Sequence, residues 1–218
     1  MTADTLVRMD RMYRHQRYIY DATRKYFLLG RDGLIRDLPV SPGDHVLEIG
    51  CGTGRNLIAL ARRHPEVRLY GIDASAPMLD TAGQAIARAG LAQRIRLARG
   101  LGEELEPLTM FGLEQPFDAI VISYALTMIP AWPAVVDAAL AHLRPGGRLA
   151  VVDFWDQRHL PPWFGRLLRA WLDLFGVHPH SDMPDFFRDR ARARGGILAI
   201  DSLFGGYAFR VVYTAPSR

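Results

Sequence analysis

From residue 45 to residue 154 the chain alternates short apolar runs with segments of helical periodicity, and few architectures accept that rhythm. "HVLEIG" precedes a helical segment over residues 55–63, and "VRLYGID" precedes another over residues 75–90. "RIRLA" and "FDAIVIS" follow, then a helix over residues 132–143 ended by "RPGG", then "RLAVVDF". Runs rich in Val, Ile and Leu predict strands covered on both faces, and their regular interleaving predicts parallel strands joined by crossover helices. Ser75 is a good N-cap, Pro77 fits the first turn and Gly90 is a good stop. The tail breaks the rhythm. "GILAIDSLF" and "YAFRVVYTA" flank a short glycine turn, which predicts an antiparallel hairpin. The expected architecture is an α/β fold with a seven-stranded, mostly parallel sheet.

With 218 residues, 49% of them hydrophobic, the chain has enough apolar side chains for one substantial core. Residues 4–37 read as a helical N-terminal arm, with Met9, Met12, Tyr13, Gln16, Tyr20, Thr23 and Phe27 at helical spacing. "LPVSPGD" then punctuates the chain, which divides it into an arm (1–38) and a core domain (39–218). No apolar run has the length of a bilayer span, and the N-terminus lacks a secretory apolar segment. The single cysteine, Cys51, excludes an internal disulfide and suits a reducing cytoplasm. Arginines crowd the arm: Arg8, Arg11, Arg14, Arg17, Arg24, Arg31 and Arg36, with Lys25 among them. They form either a solvated helical face or a surface that meets anions, nucleic acid or acidic lipid head groups.

The loop after the first strand reads Gly50-Cys51-Gly52-Thr53-Gly54. In doubly wound sheets ligands sit at the carboxyl ends of the strands, where the strand order reverses. A dinucleotide fingerprint requires G-x-G-x-x-G, and this loop is one residue short. Glu48 would repel a pyrophosphate, whereas a ligand with a cationic centre and no phosphate suits it. S-adenosylmethionine is such a ligand. The glycines let main chain approach its amino-acid part, and the helix N-terminus can face its carboxylate. Asp73 ends the second strand about 20 residues further on, where an acid takes ribose hydroxyls. Met78 then offers an apolar side chain to adenine. The competing readings are a plain turn for the glycines and a helix-start acid for Asp73.

"LEIGCGTG", "GIDASAPML", "FDAIVISYALTMIP" and "LRPGGRLAVVDFW" resemble, in order and spacing, the motifs of class I S-adenosylmethionine-dependent methyltransferases. The resemblance covers residues 45–155 and implies a Rossmann-like fold that ends in the hairpin. It implies a cofactor site drawing on Glu48, Gly50, Cys51 and Gly52 from the loop, and on Asp73, Ala74 and Met78. Leu101, Gly102, Ser123 and Tyr124 complete it. Many members carry Asp-Ala or Asn-Ala after the third strand to bind the adenine amine. Here "GLGEEL" places Leu101-Gly102 there, which leaves that contact to backbone groups, Glu103 or Glu104.

Methyl transfer from a sulfonium is an in-line displacement, so the protein mainly positions the nucleophile and shields the site. No Asn-Pro-Pro-Tyr follows the fourth strand, and there is no cysteine pair for attack on a pyrimidine. No nucleic-acid partner is expected. Residues 13–31, "YRHQRYIYDATRKYFLLGR", and residues 122–132, "ISYALTMIPAW", together look like diacylglyceryl-homoserine N-methyltransferases, which finish bacterial betaine lipids. Phosphatidylethanolamine N-methyltransferases share the "YD" arm less closely. This resemblance implies trimethylation of a lipid amine head group. It also implies a substrate lid in the arm and a peripheral place on the anionic inner face of the cell membrane. Tyr13, Tyr18, Tyr20, Tyr26, Tyr124 and Trp132 could house an ammonium, although tyrosines at helical spacing also serve as packing. The amine must lose a proton, and the catalytic candidates are His15, Tyr20 and Tyr124. "HPH" at residues 178–180 offers two histidines with no third ligand, so no metal is expected. Residues 160–176 form a tryptophan-rich helix that either covers the core or lies in a membrane interface. The rival readings are a methyltransferase of a soluble small molecule or quinone precursor, and a non-catalytic cofactor-binding module.

Overall fold

A computed structural model of the chain describes residues 27–174 and 177–217. The strands are β1 (His45–Ile49), β2 (Arg68–Asp73), β3 (Ile95–Arg99), β4 (Phe117–Ser123), β5 (Leu143–Phe154), β6 (Ile197–Leu203) and β7 (Ala208–Thr214). They form one sheet in the order β3-β2-β1-β4-β5-β7-β6. The first five pair in parallel. β7 runs antiparallel between β5 and β6, as the glycine turn requires. The strand order reverses between β1 and β4, which opens a crevice at their carboxyl ends.

The helices are α1 (Arg31–Arg36), α2 (Arg55–Arg63), α3 (Ala76–Arg88), α4 (Pro107–Phe111), α5 (Trp132–Ala141), α6 (Pro162–Leu174) and α7 (Met183–Arg194). Side chains alternate across the sheet with period two. Leu47, Ile49, Tyr70, Ile72, Ile120 and Ile122 face a core closed by α4, α5 and α7. Val46, Leu69, Ala119, Val121, Ala150 and Val152 face a second core closed by α1, α2, α3 and α6. Every residue of β1 is buried, including the polar His45 and Glu48. Arg94, in the turn before β3, donates to the carbonyls of Ala61 and His64 at 2.7 and 2.6 Å. Its guanidinium thereby satisfies carbonyls that the end of α2 leaves open.

Two boundaries differ from the expectation. The arm was expected to be helical through residue 37, but among the described residues the helix restarts at Arg31 after Gly30 (φ 83). A Cβ on Gly30 would lie 2.6 Å from Leu203 Cδ1, so close packing on the hairpin selects glycine there. The "RPGG" segment lies inside β5, and its pairing with β4 shifts register between Phe117 and Ala119. The sequence also did not announce α4 or α7, and the latter covers the sheet between Phe187 and Phe209.

Gly71, midway along β2, shows how tightly α2 sits on the sheet. A Cβ there would lie 2.7 Å from Leu57 Cδ1 and 2.9 Å from Cys51 Sγ. Overpacking of this kind costs about 1–3 kcal/mol. Gly71→Val should lower the urea midpoint correspondingly, and an unchanged midpoint would show that the layer is looser than described.

Candidate functional site

The carboxyl ends of β1, β2, β3 and β4 enclose a cleft of about 770 Å³, counted out to its open mouth. Its floor is the glycine loop, where Gly50 (φ 71), Gly52 (φ 53) and Gly54 (φ 75) all adopt the left-handed region. Gly50 and Cys51 donate their N–H groups to the Ile72 carbonyl at 2.9 and 3.0 Å, which ties the loop to β2. Asp73 completes the tie. Its Oδ2 accepts the Gly52 N–H at 2.8 Å and its Oδ1 accepts the Ser75 N–H at 2.9 Å. Ser75 in turn caps α3, its Oγ accepting the Met78 N–H at 3.4 Å.

These residues fit S-adenosylmethionine. A carboxylate held by two peptide donors accepts ribose hydroxyls without reorganising. Ile72, Met78 and Leu101 supply apolar walls for adenine. Gly102 lets backbone approach, since a Cβ there would lie 2.9 Å from both Ile49 Cγ2 and Val135 Cγ1. Glu103 also lines the cleft, and its Oε2 is buried without a hydrogen-bond partner.

Of the residues read from sequence, Gly50, Gly52, Asp73, Ala74, Met78, Leu101, Gly102 and Tyr124 come together around the cleft. Glu48, Cys51 and Ser123 stand behind its lining. Alternation along β1 turns Glu48 toward α2, where Asn56 Nδ2 donates to Oε1 at 2.6 Å. Cys51 is buried, and burial, followed by the charges of Asp73 and Glu48, pushes its thiol pKa well up. Ser123 is buried at the end of β4. His15 and Tyr20 lie outside the described residues. Among the described residues no group of three His, Cys, Asp or Glu side chains is placed to hold a metal.

Tyr124 is a non-glycine residue in the left-handed region (φ 53), a conformation that needs support. Its N–H donates to the Val152 carbonyl at 2.8 Å, and its ring meets Phe154 edge-on at 4.6 Å. Its hydroxyl donates to the Leu29 carbonyl. Tyr207 donates in the same way to the Phe27 carbonyl at 2.7 Å. Burial holds both phenols far above their ordinary pKa. Tyr124 therefore joins the cleft wall to the base of the arm.

Sequence reasoning passed over Asp153, whose only signal was an acid inside "VVDF". It is fully buried at the end of β5. Its Oδ2 accepts the Leu126 N–H at 2.9 Å and its Oδ1 accepts the Thr127 hydroxyl at 2.7 Å. These bonds fix the tight turn Leu126–Met128. Met128, Ile129 and Pro130 then form the wall of the cleft opposite the glycine loop. Having no polar side-chain atoms that would mark a site, these three also went unnoticed.

Known proteins share this organisation. A methyltransferase-domain family model matches residues 46–147. A demethylmenaquinone methyltransferase from Lactobacillus johnsonii is 31% identical over 180 residues, which cover 74% of this chain and 72% of that protein. A trans-aconitate 2-methyltransferase from Deinococcus radiodurans is 36% identical over 52% of this chain, and the match spans only 39% of its own length. An O-methyltransferase family protein from Burkholderia thailandensis shares the fold with a TM-score of 0.71 at 19% identity, over 95% of this chain and 62% of that one. The chain belongs to the class I S-adenosylmethionine-dependent methyltransferases.

Asp73→Ala removes the carboxylate placed to accept ribose hydroxyls and takes away the acceptor of the Gly52 and Ser75 N–H groups. Calorimetry should show at least about tenfold weaker cofactor binding, equivalent to about 1.4 kcal/mol. Unchanged affinity in a folded variant would take Asp73 out of the site. Asp153 makes a pH prediction. Burial raises its pKa from 3.8 to about 6. The folded state then binds more protons than the unfolded state between those values, so this group's contribution to stability falls as pH rises from about 4 to 6. Asp153→Asn should flatten that part of the pH–stability curve, and an identical slope in the variant would contradict the assignment.

Proposed function

We propose that this protein transfers the methyl group of S-adenosylmethionine to a small, largely apolar acceptor of the quinone-precursor type. The observation that carries the reading is the cleft wall beyond Asp73. Ala125, Met128, Ile129 and Pro130 line it, and the Tyr124 hydroxyl is turned away to Leu29. Among the described residues Asp73 and Glu103 are the only carboxylates in the lining. Such a wall favours a planar apolar ring over a highly charged solute. The name of the Lactobacillus johnsonii relative agrees with a quinone acceptor.

When bound, the cofactor supplies an electrophilic methyl group, whose bond to sulfur breaks as the bond to the acceptor's nucleophile forms. The chain's task is to hold the two partners in line and keep water out. The glycine loop and Asp73 fix one side. The turn held by Asp153 presents Met128–Pro130 as the apolar stop on the other.

A second reading is N-methylation of a lipid amine, as in betaine-lipid synthesis. One observation favours it: the exposed face of α6 carries Trp163, Leu167 and Leu174 beside arginines, as suits an acceptor held in a bilayer. Incubation with methyl-labelled cofactor and, separately, a demethylated naphthoquinol, trans-aconitate, diacylglyceryl-homoserine and phosphatidylethanolamine tests both. Label in the naphthoquinol is expected. Label confined to an amine lipid would replace the first reading by the second, and no label in any acceptor would overturn both.

A further inference from the structure

α6 has apolar side chains on two opposite faces. Gly165, Leu168 and Leu172 are buried against the sheet, and Trp171 stacks on Phe27 with ring centroids 4.6 Å apart. On the outer side Trp163 is 64% exposed, Leu167 64% and Leu174 73%. Ala170 is exposed as well. Residues 163, 167, 170 and 174 follow helical spacing and form one stripe along the outside of the helix. Covering the core explains the inner stripe and leaves the outer one without a role. The described residues expose six large apolar side chains in all, so three in this stripe make a concentration. A fourth, Phe204, belongs to the β6–β7 turn. That turn is bonded to the approach to α6, His159 N–H donating to the Gly205 carbonyl at 3.1 Å.

Charge decides what covers the stripe. Arg166 and Arg169 are exposed on the same helix, and neither has an acidic partner among the described residues. The one acid on α6, Asp173, lies 3.9 Å from His178. Tryptophan and leucine beside unpaired guanidinium groups form the pattern of a helix lying in a bilayer interface, with apolar tips inserted and arginines on lipid phosphates. At 13 residues the helix is about 20 Å long, and no described helix is long and apolar enough to cross a membrane.

We propose that the outer face of α6 docks reversibly on an anionic bilayer surface. Trp163, Leu167 and Leu174 enter the boundary between head groups and acyl chains, and Arg166 and Arg169 meet phosphates. Past α6, the His178 N–H donates to the Thr127 carbonyl at 3.0 Å. This bond ties the docking element to the turn that leads into the Met128–Pro130 wall of the cleft. The inference goes beyond the identity of the acceptor and holds for a quinone precursor or an amine lipid alike.

Vesicle flotation of the full chain tests it, with phosphatidylcholine alone and with added phosphatidylglycerol. The protein should float with the anionic vesicles, less so at high salt, and remain at the bottom with the neutral ones. Arg166→Gln with Arg169→Gln should weaken binding about thirtyfold at low salt, two basic residues contributing about 1 kcal/mol each. Trp163→Asp with Leu167→Asp should abolish flotation while calorimetric cofactor affinity stays at the parent value, which shows that the variant is folded. Leu108→Asp, at an exposed leucine on α4, should float as the parent does. Flotation retained by the Trp163/Leu167 variant would assign membrane binding elsewhere and overturn the proposal. So would absence of flotation in the parent, or a parent dimer that this variant dissociates. Methyl transfer to a detergent-dispersed acceptor is read separately, so failure of the acceptor assignment and failure of the docking face remain distinct.

Discussion

Asp73 accepts the Gly52 N–H from one side and the Ser75 N–H from the other. Neither peptide group belongs to a helix or strand ladder, and one carboxylate at the tip of β2 serves both. The glycine loop can keep three left-handed residues at alternate positions, Gly50, Gly52 and Gly54, because the neighbouring strand holds it. The loop turns into α2, whose Asn56 is bonded to Glu48 behind it. Two acids on adjacent parallel strands therefore brace a segment whose sequence is otherwise built for conformational freedom.

Asp153 performs the matching task across the strand-order reversal. It ends β5 as Asp73 ends β2, and it holds the turn after β4 through main-chain and hydroxyl donors. The cleft lies between these two braced segments. One side of it is the glycine loop with Asp73, and the other is the apolar wall Met128–Pro130. Burial opposes the charge on Asp153, and the donors around it support that charge.

The centre of the sheet was legible because β1 and β4 are almost wholly buried, and the helix after β2 because Ser75 caps it. The glycine loop and Asp73 were legible because left-handed turns and a spaced acid leave few alternatives. Glu48 was read as a cofactor-binding residue, but period-two alternation sends it to the α2 face and not into the cleft lining. The Met128–Pro130 wall was not legible, since apolar side chains in a binding site look the same as those in a core. Asp153 acts through peptide groups distant in sequence, and only the fold reveals them. Trp163 and Trp171 looked equivalent in the sequence. Packing separates them, with Trp171 turned in upon Phe27 and Trp163 turned out to solvent.

Tyr124 and Tyr207 hold the base of the N-terminal arm through the carbonyl oxygens of Leu29 and Phe27. A carbonyl is present whatever the side chain, so the grip is indifferent to what residues occupy those two positions. The two tyrosines therefore fix where residues 27–29 meet the core through a group that every residue carries.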